Sequence, residues 1–311
     1  MELGSKILIT GGSGLVGTAL KNALQQKGYK NIYAIGSKDC DLTNYQDAIK
    51  FFTNIKPDYV FHMAAAVYGI MGNMENKGLS FLNNVLINTH VIEASRLAKV
   101  KKIVAMGSVV VYPYPPPALP LAEHMIWQGQ PHESENSYGH AKRAMLAQLK
   151  AYQESYNMDF AFAISSNLYG PHDKYDIKYG HVVPSLIRKF YEAKMNNGTV
   201  QVWGDGSPAR DFVYASDAAD ALLIIMDKVN GEINLASGEV SSIKEVVNCL
   251  AEHTHMQDRV FWDTSKPNGQ GYRSYDLTKL FATGFKPKIS LREGLNLTYD
   301  WYAANSATAR K

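Results

Sequence analysis

The stretch Thr10-Gly11-Gly12-Ser13-Gly14-Leu15-Val16-Gly17 lies between a strand-like run, Lys6–Thr10, and a helix-like run, Gly14–Lys27. Glycines at 11, 14 and 17 permit a tight turn, close approach of backbone to a pyrophosphate, and close packing of helix on strand. A helix starting there aims free N–H groups and the positive end of its dipole at the turn, which favours an anion. In isolation such a motif is also what a ligand-free glycine turn looks like. Its place at the first strand–turn–helix of the chain makes it specific. Gly11, Gly14, Leu15, Val16 and Gly17 are therefore expected to cradle the phosphates of a dinucleotide.

The alternation continues through the first half. Short apolar runs recur at Ile32–Ile35, Tyr59–Ala64, Ile103–Met106 and Phe160–Ser165, with helical spacing between them at Tyr45–Asn54, Asn83–Ala98 and Tyr138–Tyr156. Strands nearly free of polar residues belong to a sheet covered on both faces. Strand–helix alternation of this kind predicts an α/β fold, a doubly wound parallel (Rossmann) sheet. After Leu168 the rhythm changes. A polar, aromatic loop is expected at Tyr169–Gly180, helices at Val182–Met195, Asp217–Lys228 and Ser242–His253, and strands at Val200–Trp203 and Gly231–Ala236. The expected division is a cofactor domain at 1–168, completed by parts of 212–240, and a smaller mixed α/β substrate lobe at 169–311, interleaved with it.

Composition narrows the function. Thirty-two basic against 29 acidic residues leave a net charge of +3 in 311 residues, without the clustered basic excess of a nucleic-acid binder. No apolar run approaches the ~18–20 residues that cross a bilayer, and Met1–Thr10 shows no signal-peptide pattern. Cys40 and Cys249 lie far apart, which argues against a disulfide framework or a structural zinc site. His253 and His255 read as surface residues, so no metal is expected. The chain reads as a cytoplasmic enzyme.

At the tip of the second strand, an acid would hold the ribose hydroxyls of NAD(H) and repel a 2′-phosphate. Here the strand runs into Gly36-Ser37-Lys38, which favours NADP(H); Asp39 and Asp41 follow closely and keep NAD(H) open. Tyr138 and Lys142 are four residues apart, stacked on one helix face. An ammonium beside a phenol lowers its pKa and suits it to proton exchange. Ser108 follows the strand Ile103–Met106, at the carboxyl edge where doubly wound sheets bind ligands, and its hydroxyl can meet a carbonyl or alcohol oxygen.

The glycine loop, Ser108 and Tyr138/Lys142 together resemble the extended short-chain dehydrogenase/reductase superfamily over nearly the whole chain. Within it the chain is most similar to the GDP-L-fucose synthase family, through His62-Met63-Ala64-Ala65, Gly107–Pro113, Ser166-Asn167-Leu168-Tyr169-Gly170-Pro171, His181–Phe190, Val202–Gly206 and Arg210-Asp211-Phe212-Val213-Tyr214. That resemblance implies a GDP-linked 4-keto sugar as substrate, reduced at C4 with Tyr138 as proton donor, Lys142 on the nicotinamide ribose and Ser108 orienting the carbonyl. It further implies that Ser37, Lys38, Asp41, Leu42, Ala64, Ala65, Asn167, Leu168 and His181 line the cofactor. Lys189, Trp203, Arg210 and Arg273, with Ser108 and Asn167, would meet the nucleotide sugar. Guanidinium groups suit a pyrophosphate through bidentate bonds, although Arg210 beside Asp211 also admits an internal ion pair. A homodimer through helices near 83–98 and 138–156 is implied, with burial inside one chain as the alternative.

One position departs from the pattern. The family motif Gly-Ser-Ser-Cys-(Ile/Val)-Tyr-Pro has a cysteine that acts as base at C3 and C5, and here Val110 takes its place. His181, the partner acid, is retained. The expectation is C4 reduction with weak or absent epimerisation. A bifunctional epimerase/reductase, oxidation of a C4 hydroxyl, and a dinucleotide-sensing regulator on the same fold are the competing expectations.

Overall fold

Ile7–Thr10 form the first strand (β1), and all four residues are buried. In the computed structural model, which describes residues 1–266 and 268–311, a turn leads from it to α1 (Leu15–Gln26), β2 (Ile32–Ile35), α2 (Tyr45–Ile55) and β3 (Tyr59–His62). Then come α3 (Gly69–Glu75), the long α4 (Lys77–Leu97), β4 (Lys102–Met106), α5 (Asn136–Tyr156) and β5 (Asp159–Ser165). The chain leaves this sheet for β6 (Asn167–Tyr169), α6 (Val182–Met195), β7 (Val200–Trp203) and β8 (Ala209–Tyr214). It returns through α7 (Ala215–Lys228) to β9 (Gly231–Leu235), and continues as β10 (Val240–Ser242), α8 (Ile243–Thr254), β11 (Val260–Asp263), α9 (Thr278–Ala282) and α10 (Leu291–Asn305).

The main sheet has the order β2-β1-β3-β4-β5-β9, and every pairing in it is parallel. β1 is flanked by β2 on one side and β3 on the other, so the strand order reverses there. In open α/β sheets the crevice outside the carboxyl ends of such a pair binds ligands. One apolar core runs from Ile7 through Ile164 and takes in Val213–Ala236 and Tyr275–Phe285. A second gathers Tyr169–Phe212 with Val246–Met256 and Leu295–Tyr302. Around it lie a three-stranded sheet, β10-β8-β6, and a parallel pair, β11-β7.

Local chemistry explains the helix starts. Asn44 caps α2 by accepting from the backbone N–H of Gln46 and Asp47, and Ser242 with Glu245 forms a complete capping box on α8. α4 begins at Lys77, earlier than the apolar spacing of 83–98 indicated. The expected loop at Tyr169–Gly180 is preceded by β6, three residues paired in parallel with β8, too short to show a period. No described helix is long and apolar enough to cross a membrane.

Two glycines hold the turn after β1. Gly11 has φ +69, and a methyl group on it would lie 2.9 Å from the backbone nitrogen of Ala64. A methyl on Gly17 would lie 2.2 Å from the carbonyl oxygen of Gly11 and 2.7 Å from Gly12 Cα. Helix α1 can sit this close to the turn because residue 17 has no side chain. Within a helix, glycine to alanine ordinarily stabilises by about 0.5–1 kcal/mol. Gly17→Ala is expected to reverse that sign and cost about 1–3 kcal/mol through overpacking, measured as a lower midpoint in urea unfolding.

Candidate active site

The carboxyl edge of the main sheet brings most of the expected residues together. The turn Gly11–Gly14 lies above β1. Gly14 precedes α1 in extended conformation and no side chain caps this end, so the N–H groups of its first turn are left for an anion. That vacancy in the capping, with the glycine cradle just described, fits a dinucleotide diphosphate. Ala64 and Ala65 follow β3 and are half-buried; the Ala64 N–H donates to Thr10 Oγ1 at 3.2 Å. At the tip of β2, Ser37, Lys38 and Asp41 are exposed and line a depression of about 380 Å³ with Asp39, Cys40, Asp47 and Lys50. The two acids are engaged locally. Asp39 accepts from the Gly36 N–H at 2.8 Å, and Asp41 from the Thr43 N–H and hydroxyl, which holds it below its ordinary pKa. Leu42 is buried, and its carbonyl accepts from His90 Nδ1.

Ser108 begins a 3₁₀ turn at Val109–Val111 beyond β4, and its hydroxyl accepts from the Val110 N–H. The first turn of α5 packs on this segment: a methyl on Gly139 would lie 2.7 Å from the Val110 carbonyl oxygen. Lys142, buried on α5, donates from Nζ to the Met106 carbonyl at 2.8 Å. Its Nζ also lies 5.6 Å from the centre of the Tyr138 ring. One buried amine thus ties α5 to the strand end that carries Ser108.

The electrostatics of this pair differ from the expectation. Burial, and then the Glu135 carboxylate, push the Tyr138 phenol well above its ordinary pKa, while burial brings Lys142 down to about 7. Spacing alone placed an ammonium beside a phenol. Desolvation of both groups outweighs their attraction, so the phenol is held protonated.

Asn167 and Leu168 are half-buried on β6, next to the end of β5. His181 is the exposed residue before α6, and the turn leading to it folds back over the chain that follows β3, since a methyl on Gly69 would lie 2.3 Å from the Tyr179 carbonyl oxygen. Lys189 is half-buried on α6 and donates to the Gln201 carbonyl at 3.0 Å. Trp203 ends β7 with its ring exposed and Lys266 Nζ 5.9 Å away. Arg210 does not pair with Asp211. Its guanidinium donates to the carbonyls of Ala209, Gln270 and Gly271, while Asp211 accepts from Ser166, Ser237 and Gly238. Arg273, buried beside it, helps burial to lower the pKa of Arg210.

Several site residues had gone unremarked in the sequence. Glu135 bears on both Tyr138 and Arg210 and accepts from Gln270 Nε2 at 3.2 Å across the cleft; its place one turn before Tyr138 was the available signal. His62 and Asn88 form a buried link described below. The surface pair of His253 with Asp300 answers for that histidine.

Burial of Lys142 has a thermodynamic signature. Below pH 7 the amine is protonated in both folded and unfolded chains. Between pH 7 and its ordinary pKa near 10.5 the folded protein releases the proton first, so stability rises with pH in that window. From pH 7 to pH 9 the wild type is expected to gain on the order of 2 kcal/mol more in urea unfolding than Lys142→Met; equal slopes would show an ordinary lysine.

The model of the NAD dependent epimerase/dehydratase family matches residues 7–236. A putative GDP-L-fucose synthase 2 from Arabidopsis thaliana is 37% identical, covering 98% of this chain and 94% of its own. The crystal structure of a GDP-L-fucose synthetase from Naegleria fowleri bound to NADP superposes with a TM-score of 0.94 at 31% identity, covering 100% and 96% of the two chains. A GDP-mannoheptose C4 reductase from Campylobacter jejuni with NADP bound does so at 0.87 and 32%, covering 97% and 99%. The chain belongs to the NAD dependent epimerase/dehydratase family of extended short-chain dehydrogenases/reductases, as an NAD(P)-dependent oxidoreductase of nucleotide sugars.

Proposed function

We propose that this chain is an NADP(H)-dependent reductase acting at C4 of a GDP-linked 4-keto sugar, a 6-deoxyhexose or a heptose, without efficient epimerisation at C3 and C5. The observation that carries the reading is Val110: it takes the position of the family's cysteine while Ser108, Tyr138 and Lys142 are complete. Valine has no exchangeable proton, and neither thiol replaces it. Cys40 is buried by the depression at the tip of β2, its thiol pushed up to about 11, and Cys249 packs on α8 in the second core. The Campylobacter relative, a C4 reductase by its description, supports the same reading.

The residues divide the work as follows. When bound, the nicotinamide supplies the hydride that C4 receives. Ser108 hydrogen-bonds the C4 oxygen and holds the carbonyl in place. Tyr138, kept protonated by its burial, passes its proton to that oxygen, and Lys142 balances the phenolate that results. A resting phenol suits the reductive direction, since oxidation would need it deprotonated. His181 holds its place beside the cleft. Arg210 and Arg273 take the diphosphate of the nucleotide, and Lys189 and Trp203 its outer part. NADP(H) is favoured over NAD(H) by Ser37 and Lys38 at the tip of β2 and by the commitment of Asp39 to the Gly36 N–H.

Retention of His181 and the similarity to GDP-L-fucose synthases favour a second reading, the bifunctional epimerase/reductase. Incubation with GDP-4-keto-6-deoxymannose in D₂O separates the two. Reduction at C4 without enzyme-dependent deuterium at C3 and C5 is the expected NMR result; rapid incorporation at both would establish the second reading. Tyr138→Phe is expected to abolish turnover and leave NADPH binding nearly intact, and retained turnover would remove the tyrosine from its role.

We also propose a homodimer. Leu79 and Leu82 are about half exposed on α4, with the half-buried Leu86 in line on the same face and Phe81 alongside. Light scattering should give twice the chain mass, and Leu82→Glu should shift it towards the monomer.

A further inference from the structure

Beyond β6 the chain and the end of α10 meet over the glycine turn. Tyr175 is fully buried, its ring centre 4.3 Å from that of Tyr302 on α10. Its hydroxyl donates to the Gly170 carbonyl at 3.1 Å, and its backbone N–H to the Arg310 carbonyl at 2.8 Å. Gly170 in turn rests against the first residue of α1: a methyl on it would lie 3.4 Å from Leu15 Cδ1. One aromatic residue therefore fixes both the wall of the cofactor turn and the backbone of Arg310. The backbone of residues 308 and 309 is tied as well, both N–H groups donating to the Asn305 carbonyl at the end of α10.

The side chain of Arg310 runs from this anchor to the turn itself. A methyl built on Gly14 would lie 3.8 Å from Arg310 Nη1, beside the uncapped first turn of α1. Behind it is Asp173, 7% exposed, one carboxylate oxygen bonded to the Lys174 N–H and the other, Oδ2, without a hydrogen-bond partner among the described residues. Burial raises the pKa of this acid, and the Arg310 guanidinium draws it the other way. The Arg310 side chain makes no hydrogen bond or ion pair among the described residues, so its donors are free at the turn.

We propose that Arg310 is a binding residue for the diphosphate of the dinucleotide, reaching the glycine turn from the far end of the chain. α1 supplies its backbone N–H groups to the diphosphate from one side. Arg310 supplies a fork of donors from the other, suited to two non-bridging oxygens at once. The proposal concerns cofactor binding and does not depend on which sugar is reduced or on epimerisation.

The test is binding of NADPH and of NADH to the full chain, followed by nucleotide fluorescence at low ionic strength, with thermal melting as the fold control. Arg310→Ala is expected to raise the Kd of both nucleotides by the same factor, roughly ten- to a hundredfold, with the melting midpoint of the nucleotide-free protein unchanged. A change of less than twofold for both would overturn the proposal. So would a loss confined to NADPH, which would place Arg310 on the 2′-phosphate. If Arg310→Ala melts early, Arg310→Gln, which keeps length and polarity but not charge, is expected to show the same parallel loss; wild-type affinity in that variant overturns the proposal.

Discussion

His62 joins the cofactor side of the sheet to the catalytic helix. It is completely buried at the end of β3, its Nδ1 2.8 Å from Thr10 Oγ1 and its Nε2 3.0 Å from Asn88 Oδ1 on α4. Thr10 Oγ1 accepts from the Ala64 N–H, and Asn88 Nδ2 donates to the carbonyl of Ala141, the residue before Lys142. Every donor then has one acceptor if His62 carries its proton on Nε2 and takes the threonine hydroxyl on Nδ1. Burial holds the ring far below the pH range in which it would charge, at about 3, so the arrangement does not titrate under ordinary conditions. Buried networks of this kind are costly to leave half satisfied and specific when complete. This one fixes, in a single chain of bonds, the distance between the turn that receives phosphates and the helix that carries Tyr138 and Lys142.

The same burial sets the chemistry at the other end. Lys142 sits close enough to lower the His62 pKa further, and its amine donates to the Met106 carbonyl. A site built this way does not hold a resting phenolate. On the proposed mechanism its groups would stabilise charge that appears during proton transfer, at little reorganisation cost because the donors are already fixed.

The sequence made the parallel sheet legible because each strand is an apolar run and each connection a helical period, and the turn at Gly11–Gly17 marks its start. It made the line Ser108–Tyr138–Lys142 legible because two of these stand on one helix face and the third at a strand end. The second lobe was harder. β7 was expected at Val200–Trp203, but β6 and β10 have three residues each and β11 four, without a flanking helical period to mark them. α10 was not expected; its start is capped by Ser290, which accepts from the Glu293 N–H, but its face is mixed. What the spacing of Tyr138 and Lys142 could not show was their depth, and depth decides the direction of both pKa shifts. Tyr175 and Arg310 meet only through tertiary packing, so no local pattern announces them.

Charge in the cleft is economical for the same physical reason. Arg210 and Arg273 lie close enough to repel, and Arg210 is largely withdrawn from water. Without an anion that arrangement is held by the backbone carbonyls of Ala209, Gln270 and Gly271 and by the Glu135 carboxylate nearby. A diphosphate arriving between the two guanidinium groups would relieve their repulsion and exchange neutral acceptors for charged ones, in surroundings where each charge interacts more strongly than at an open surface. On the proposed roles, two desolvated cations in the second lobe and a third at the glycine turn would serve two diphosphates. In that arrangement a chain with a net charge of only +3 needs no basic surface to meet ligands as anionic as a dinucleotide and a nucleotide sugar.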